Sequence, residues 1–180
     1  IERLQRGDLD ASFLYGPAAD LHLRCKELLY EDIALISPPN TLPNLGEQIG
    51  IADMAHLPLV LPSRPHGIRM LVDNAAAKAG VSLNTALRGD AFEILKSLVV
   101  GGSYHAFIPL SAVSEELKAG SLEARTLVSP SIRRQQAKQS DRRNTRATDA
   151  VVEILCREIA AMIDECVWRA DPEANLVETT

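Results

Sequence analysis

Between residues 57 and 128 the hydrophobic pattern switches repeatedly between an extended and a helical period. "LPLVLP", "VSLNTALRG", "YHAFIP" and "LEARTLV" read as strands, and each gap between them holds an amphipathic stretch of helical spacing. The first, "GIRMLVDNAAAKAG", carries Ile68, Leu71 and Val72 and stops at Gly80. The second, "DAFEILKSLVVGG", has Asp90 as N-cap, Glu93 as the other half of a capping box, and Gly101–Gly102 as its stop. The third, "SAVSEELKAG", runs from Ser111 as cap to Gly120. Such alternation predicts an α/β fold, with a parallel or mixed sheet covered by helices on both faces.

The flanking segments are too small to form cores alone. "LDASFLY" reads as a strand, "LRCKELLYEDIALISPP" as a long strand bent near Tyr30–Glu31, and "IADMAH" as a short helix. "SIRRQQAKQS" is an extended basic segment. The last helix, "TRATDAVVEILCREIAAMIDECVWRA", carries Val151, Val152, Leu155, Ile159, Met162, Ile163 and Val167 as one apolar face. The economical architecture is two lobes. Residues 1–55 form part of a first lobe and 56–128 the second. Residues 129–170 cross back and add a C-terminal helix to the first lobe, and 171–180 form a flexible tail. The opening "IERLQRGDLDAS" begins inside a helical pattern without Met or cap, which reads as a cut through a longer protein.

Composition narrows the function. Nineteen basic against 24 acidic residues leave a net charge of −5, a poor basis for gripping nucleic-acid phosphates. Cys25, Cys156 and Cys166 are odd in number and lack metal spacing, as suits free thiols in a reducing compartment. No signal segment and no membrane-length apolar run is present, so the expected location is the cytoplasm, with no membrane partner. His22, His56, His66 and His105 are scattered, so no metal site is expected. His105 alternates with apolar residues and reads as a core histidine. Ser111 lies in no G-x-S-x-G elbow and Gly101–Gly102 in no G-x-G-x-x-G, so neither a nucleophile nor a cofactor is expected. "RRQQAKQSDRR" could touch phosphate, but a solvated strand face is favoured.

The junction "LPSRPHGIRML" sets Ser63, Arg64, His66 and Gly67 where a buried strand hands over to a helix. A helix start offers free N–H groups and a positive dipole end to an anion. Arg adds a planar fork and Ser a hydroxyl. The bland alternative is a plain turn with an exposed Arg.

In order along the chain, "LQRGDLDASF", "CKELLYEDIALISPP", "LPLVLPSRPHGIRMLVDNAAAKAGVSLN" and "DAFEILKSLVVGGSYHAFIPLSAVSEELKAGSLEA" resemble the effector-binding domain of LysR-type transcriptional regulators. "LPLVLPSRPHGIR" is most similar to the branch of nitrogen-assimilation-control-type regulators. The resemblance reaches about residue 168. It implies a periplasmic-binding-protein-like domain: two Rossmann-like lobes joined by two crossover segments, with a small effector between them. It also implies a homo-oligomer, dimer or tetramer, in the intact protein. The family's DNA-binding domain, linker helix, and first strand and helix of lobe one have no counterpart in this sequence, so DNA would be bound only through the absent N-terminal domain. Gln136 and Lys138 break the apolar alternation that the family has in the returning strand, which leaves its pairing open.

By this resemblance the loop of Ser63, Arg64, His66 and Gly67 faces the effector, probed most directly by an anionic ligand. Pro109, Leu110 and Ser111 repeat the geometry after the next strand, although Ser111 is equally an ordinary N-cap. Tyr15 and Gly16 close the site from lobe one, or Tyr15 lies on the surface. The function expected is effector sensing by a bacterial LysR-type regulator, not catalysis. The rivals are a solute-binding protein of a transporter with the same fold and an α/β enzyme.

Overall fold

The computed structural model describes residues 3, 6–15, 24–129, 133–140, 145–164 and 171–172. Its strands are β1 (Ser12–Tyr15), β2 (Arg24–Ser37), β3 (Gln48–Gly50), β4 (Leu59–Leu61), β5 (Thr85–Arg88), β6 (His105–Pro109), β7 (Glu123–Ser129), β8 (Arg133–Ser140) and β9 (Asp171–Pro172). The α-helices are α1 (Gly67–Lys78), α2 (Phe92–Val100), α3 (Ser114–Lys118) and α4 (Arg146–Asp164), with 3-10 turns at Ile51–Met54 and Leu110–Val113. The chain forms two compact units, one of Ile1–Glu31 with Arg134–Thr180 and the other of Asp32–Arg133.

The division falls inside β2, at the bend expected near Tyr30–Glu31. The second unit therefore begins well before the residue 56 anticipated from sequence. Its sheet runs β3-β7-β2-β6-β4-β5. β3 is parallel to β7, and β4 is parallel to both β5 and β6, while β2 runs antiparallel to β6 and β7. The second half of β2 cannot be spared from this unit, because it forms the middle of the sheet. Its successive residues alternate between two cores. Ile33 and Leu35 join Leu59, Leu61, Phe107 and α1's Ile68 and Val72 on one face. Ala34 and Ile36 join Val60, Ala106, Ile108 and α2's Leu95 and Val99 on the other. A strand buried on both sides reads as an unbroken apolar run, and the period of two sorts its side chains between the faces. The helix ends expected at Gly80, Gly101–Gly102 and Gly120 are present, and Gly80 and Gly120 both have φ +68, a conformation that L side chains rarely adopt.

The first unit takes β1, β8, the start of β2 and β9. β8 pairs antiparallel with β1, from Ser12 opposite Gln139 to Tyr15 opposite Gln136. Its polar sequence does not prevent this, because backbone ladder bonds do not depend on side-chain polarity. Asp171 and Pro172, expected in a flexible tail, instead pair with Tyr30 and Leu29. The apolar face expected of α4 is also corrected. Val152 and Cys156 are buried against Leu28 and Leu29, with Ile159, Ala160 and Ile163 alongside, whereas Val151, Leu155 and Met162 are exposed. The apolar arc of α4 is wider than the surface it packs on. Gly16, His22, Cys166, Val167, Arg142 and Arg143 lie outside the described residues.

His105 sits in the core, 6 % exposed, with Nδ1 2.9 Å from the Ser37 hydroxyl. Removal from water, then the Arg125 guanidinium and His56, push its imidazole below the usual range. Arg125 itself is buried and ties the 38–47 loop to β7 by donating to the Leu42 carbonyl at 3.0 Å and to Glu123 Oε2 at 3.1 Å. Its Nη1 is the buried side-chain nitrogen left without a partner among the described residues. The unfolded chain takes up a proton at His105 near pH 6.5, while the folded chain resists it until lower pH. Between those values the unfolded state holds more protons, so stability falls as the pH drops. Glu116 and Glu123, held low by Lys96 and by the Asn40 N–H respectively, lose their contributions only below the ordinary carboxylate range. Denaturant titrations at pH 7.5, 6.5 and 5.5 should therefore show a decline that flattens in His105→Gln. Core packing gives a second expectation. Phe107→Ala should cost roughly 3–5 kcal/mol by the same measurement, and Ile94→Ala, at a position 53 % exposed, under about 1 kcal/mol.

Candidate functional site

Five strands of the second unit, β3, β7, β6, β4 and β5, run in the same direction and bring their C-terminal ends to one edge of the sheet, where open α/β sheets receive ligands. In β4 and β6, Leu59 pairs with His105 and Val60 with Ala106. The same register, continued, sets Ser63 level with Pro109. The loop after β4 and the loop after β6 are therefore neighbours, as the sequence anticipated.

The β4–α1 loop is closely bonded. The Ser63 N–H donates to Asp90 Oδ1 at 2.7 Å, and the Ser63 carbonyl accepts from the His66 N–H at 3.0 Å. His66 is the N-cap of α1, its Nδ1 accepting from the Ile68 N–H at 3.2 Å. This role makes Nδ1 an acceptor and places the ring proton on Nε2. The His66 ring also meets Phe92 edge to face, with centroids 6.4 Å apart. The Gly67 position is open, with nothing near a Cβ built there.

Arg64 folds back onto the second turn of α1. Its Nε and Nη2 donate to Asp73 Oδ2 at 2.8 and 2.6 Å, and Arg69 Nε donates to Asp73 Oδ1 at 2.9 Å. Asp73 thus holds two guanidiniums. Arg69, 12 % exposed, also reaches the Pro62 carbonyl, whereas Arg64 is 66 % exposed and its Nη1 has no bond among the described residues. Across the loop, Gly89 donates to the Leu61 carbonyl at 3.2 Å. A Cβ on Gly89 would lie 3.3 Å from the side chains of both Ile94 and Leu95, which would have to give by a few tenths of an ångström to admit it. The helix begins one residue later than its capping box predicts. Ala91 is the N-cap without a side-chain bond, Glu93 pairs with Lys96 at 2.8 Å, and Asp90 is spent on Ser63.

Pro109 ends β6 as a buried residue. Ser111 is not the helix cap: it lies within the 3-10 turn, whose N-cap is Pro109, and α3 starts only at Ser114. The tight turn fixed by Pro109 consumes the residues that would have opened an α-helix. Tyr15 ends β1 in the first unit, and its side chain lies outside the described residues. The structure therefore brings Ser63, Arg64, His66, Gly67, Pro109 and Ser111 to one sheet edge. Asp73, Asp90 and Phe92 join the loop without having been singled out as site residues. The signal available was the matching position of "RGD" after β5 and "PSR" after β4, two parallel neighbours. Among the described residues no cluster of His, Cys, Asp and Glu could hold a metal ion, and no helix is long and apolar enough to cross a membrane.

A mixed α/β unit whose strand-to-helix loops gather at one edge, formed by a chain that starts and finishes in another unit, is the plan of a two-lobe domain. The chain belongs to the LysR substrate binding domain family, whose model matches residues 1–159. It has the periplasmic-binding-protein-like fold of LysR regulatory domains. It is 26 % identical over 174 residues to the HTH-type transcriptional regulator BbuR of Bordetella bronchiseptica, covering 96 % of this chain and 54 % of that protein. The chain thus spans about half the length of this curated relative. The regulatory domain of CcmR from Synechocystis, in complex with 2-PG, superposes with a TM-score of 0.76 at 16 % identity, covering 86 % of this chain and 75 % of that one. A reduced form of OxyR from N. meningitidis gives 0.74 at 18 % identity, covering 96 % and 80 %. The family is one of transcriptional regulators, not an enzyme class.

The ion pairs of the loop differ in burial, and their removal should differ accordingly. Asp73→Ala strands the nearly buried Arg69 and should cost about 1.5–3 kcal/mol. Arg64→Ala removes only the exposed arm and should cost under about 1 kcal/mol. Denaturant titration of the two variants measures both.

Proposed function

We propose that this domain senses a small molecule carrying an anionic group, which docks on the β4–α1 and β6–α3 loops. The observation that carries the reading is the Ser63–Gly67 loop itself. It combines a serine hydroxyl, an open glycine at a helix start, and a guanidinium that Asp73 steadies while its Nη1 remains unbonded. Arg64 is the counter-charge for the ligand, Ser63 and the Gly67 N–H are hydrogen-bond donors, and Pro109 and Ser111 form the neighbouring wall. The mechanism is a population shift: ligand binding favours one conformation of the domain, which sets the spacing of DNA-binding domains in an intact cytoplasmic homo-oligomer. DNA is contacted through a separate domain, and the sensing domain performs no catalysis. Two of the similar solved structures support this reading by their own contents, one holding 2-PG and the other, full-length CbnR, its target DNA.

Calorimetric titration with small carboxylates and phosphorylated acids tests it, once one is found to bind. Arg64→Ala should weaken binding of that ligand about ten- to a hundredfold, the loss of one charge-assisted hydrogen bond. Equal affinities would remove Arg64 from the site.

A further inference from the structure

We propose that Asp90 is a specificity-determining residue of this loop: a carboxylate of the chain itself that occupies the anion position at the Ser63 N–H. The proposal rests on the effector reading of the Ser63–Gly67 loop. In that reading an arriving anion seeks the first backbone donor beyond β4. That donor is already bonded to Asp90 Oδ1 at 2.7 Å, the length of a charge-assisted bond. Asp90 has no cationic partner among the described residues, since both arginines of the loop are bonded to Asp73. Its negative charge is therefore not neutralised by a neighbour.

Asp90 is exposed, but its backbone is held on both sides. Gly89 before it is bonded to the Leu61 carbonyl and packed against Leu95, and Phe92 after it meets the His66 ring. These contacts hold the Asp90 backbone against the end of β4, so the carboxylate returns to the same donor whenever it is displaced. A ligand anion must exchange with it and then remain beside its charge. A ligand presenting a hydroxyl or ammonium donor at this point instead leaves the Ser63–Asp90 bond intact and gains an acceptor. Asp90 thus tilts the loop against ligands that put a bare anion at Ser63. It favours acids whose charge goes to Arg64 while a donor faces Asp90.

The experiment is a titration of the chain with inorganic phosphate at constant ionic strength, followed through the backbone amide signals of Ser63 to Ile68. Wild type, Asp90→Asn and Asp90→Ala are compared. Asn keeps an acceptor for the Ser63 N–H and removes the charge; Ala removes both. Amide exchange at Ser63 should stay slow in Asp90→Asn and quicken in Asp90→Ala, confirming the bond separately from ligand binding. The phosphate midpoint should fall at least about tenfold in Asp90→Asn and further in Asp90→Ala. Equal midpoints in all three overturn the role of Asp90 and leave the effector reading standing. No amide response to phosphate in any of the three, with Ser63 exchange changed as expected, overturns both.

Discussion

Burial of one sheet on both faces is the constraint from which the rest of the second unit follows. Ile33, Leu35, Leu59, Leu61 and Phe107 fill one side and Ala34, Ile36, Val60, Ala106 and Ile108 the other. The parallel strands β4, β5 and β6 need crossover connections between them, and each crossover returns the chain to the starting edge. The loops that follow β4, β5 and β6 are then forced to share the opposite edge. The loop cluster is a consequence of this packing, because residues distant in sequence, Ser63 with Asp90 and His66 with Phe92, meet where parallel strands end together.

At that edge the chain sets its own carboxylates against nearby donors. Asp73 binds Arg64 and Arg69, and Asp90 binds the Ser63 amide. Bonded in this way, the loop is held by its own side chains, and an ordered loop has less freedom to lose when anything docks on it. At the other end of the same sheet a different polar group is buried. Ser37 satisfies His105, and Arg125 reaches the carbonyls of the 38–47 loop. One end of the sheet is thus polar and accessible, and the other polar and sealed.

Much of the fold was legible because its signals are local. Apolar runs of strand length, helical spacing in 67–80 and 90–102, and glycine stops all report short-range preferences that the tertiary structure reinforces. The errors arose where a residue had a local role and a distant claimant. Asp90 has the sequence of an N-cap, but the Ser63 amide takes its carboxylate, and α2 starts at Phe92 with Ala91 as an N-cap that makes no side-chain bond. Ser111 has the sequence of a cap, but the turn after Pro109 absorbs it. On α4 the apolar pattern was read correctly as apolar and wrongly as one face, since the extent of the surface opposite it is not encoded in the helix.

The sequence by itself determined the order of strands and helices, the aliphatic core, the family resemblance and the placing of Ser63, Arg64, His66 and Gly67 at a strand-to-helix junction. Periodicity and turn chemistry act over a few residues, so they can be read without coordinates. Only the tertiary structure decided that β2 divides between two units, that Arg64 leans on Asp73, and that Asp90 holds Ser63. Each of these depends on strand register and on which charges the register brings within hydrogen-bond distance. The chain's order of residues does not state that distance; sheet pairing creates it.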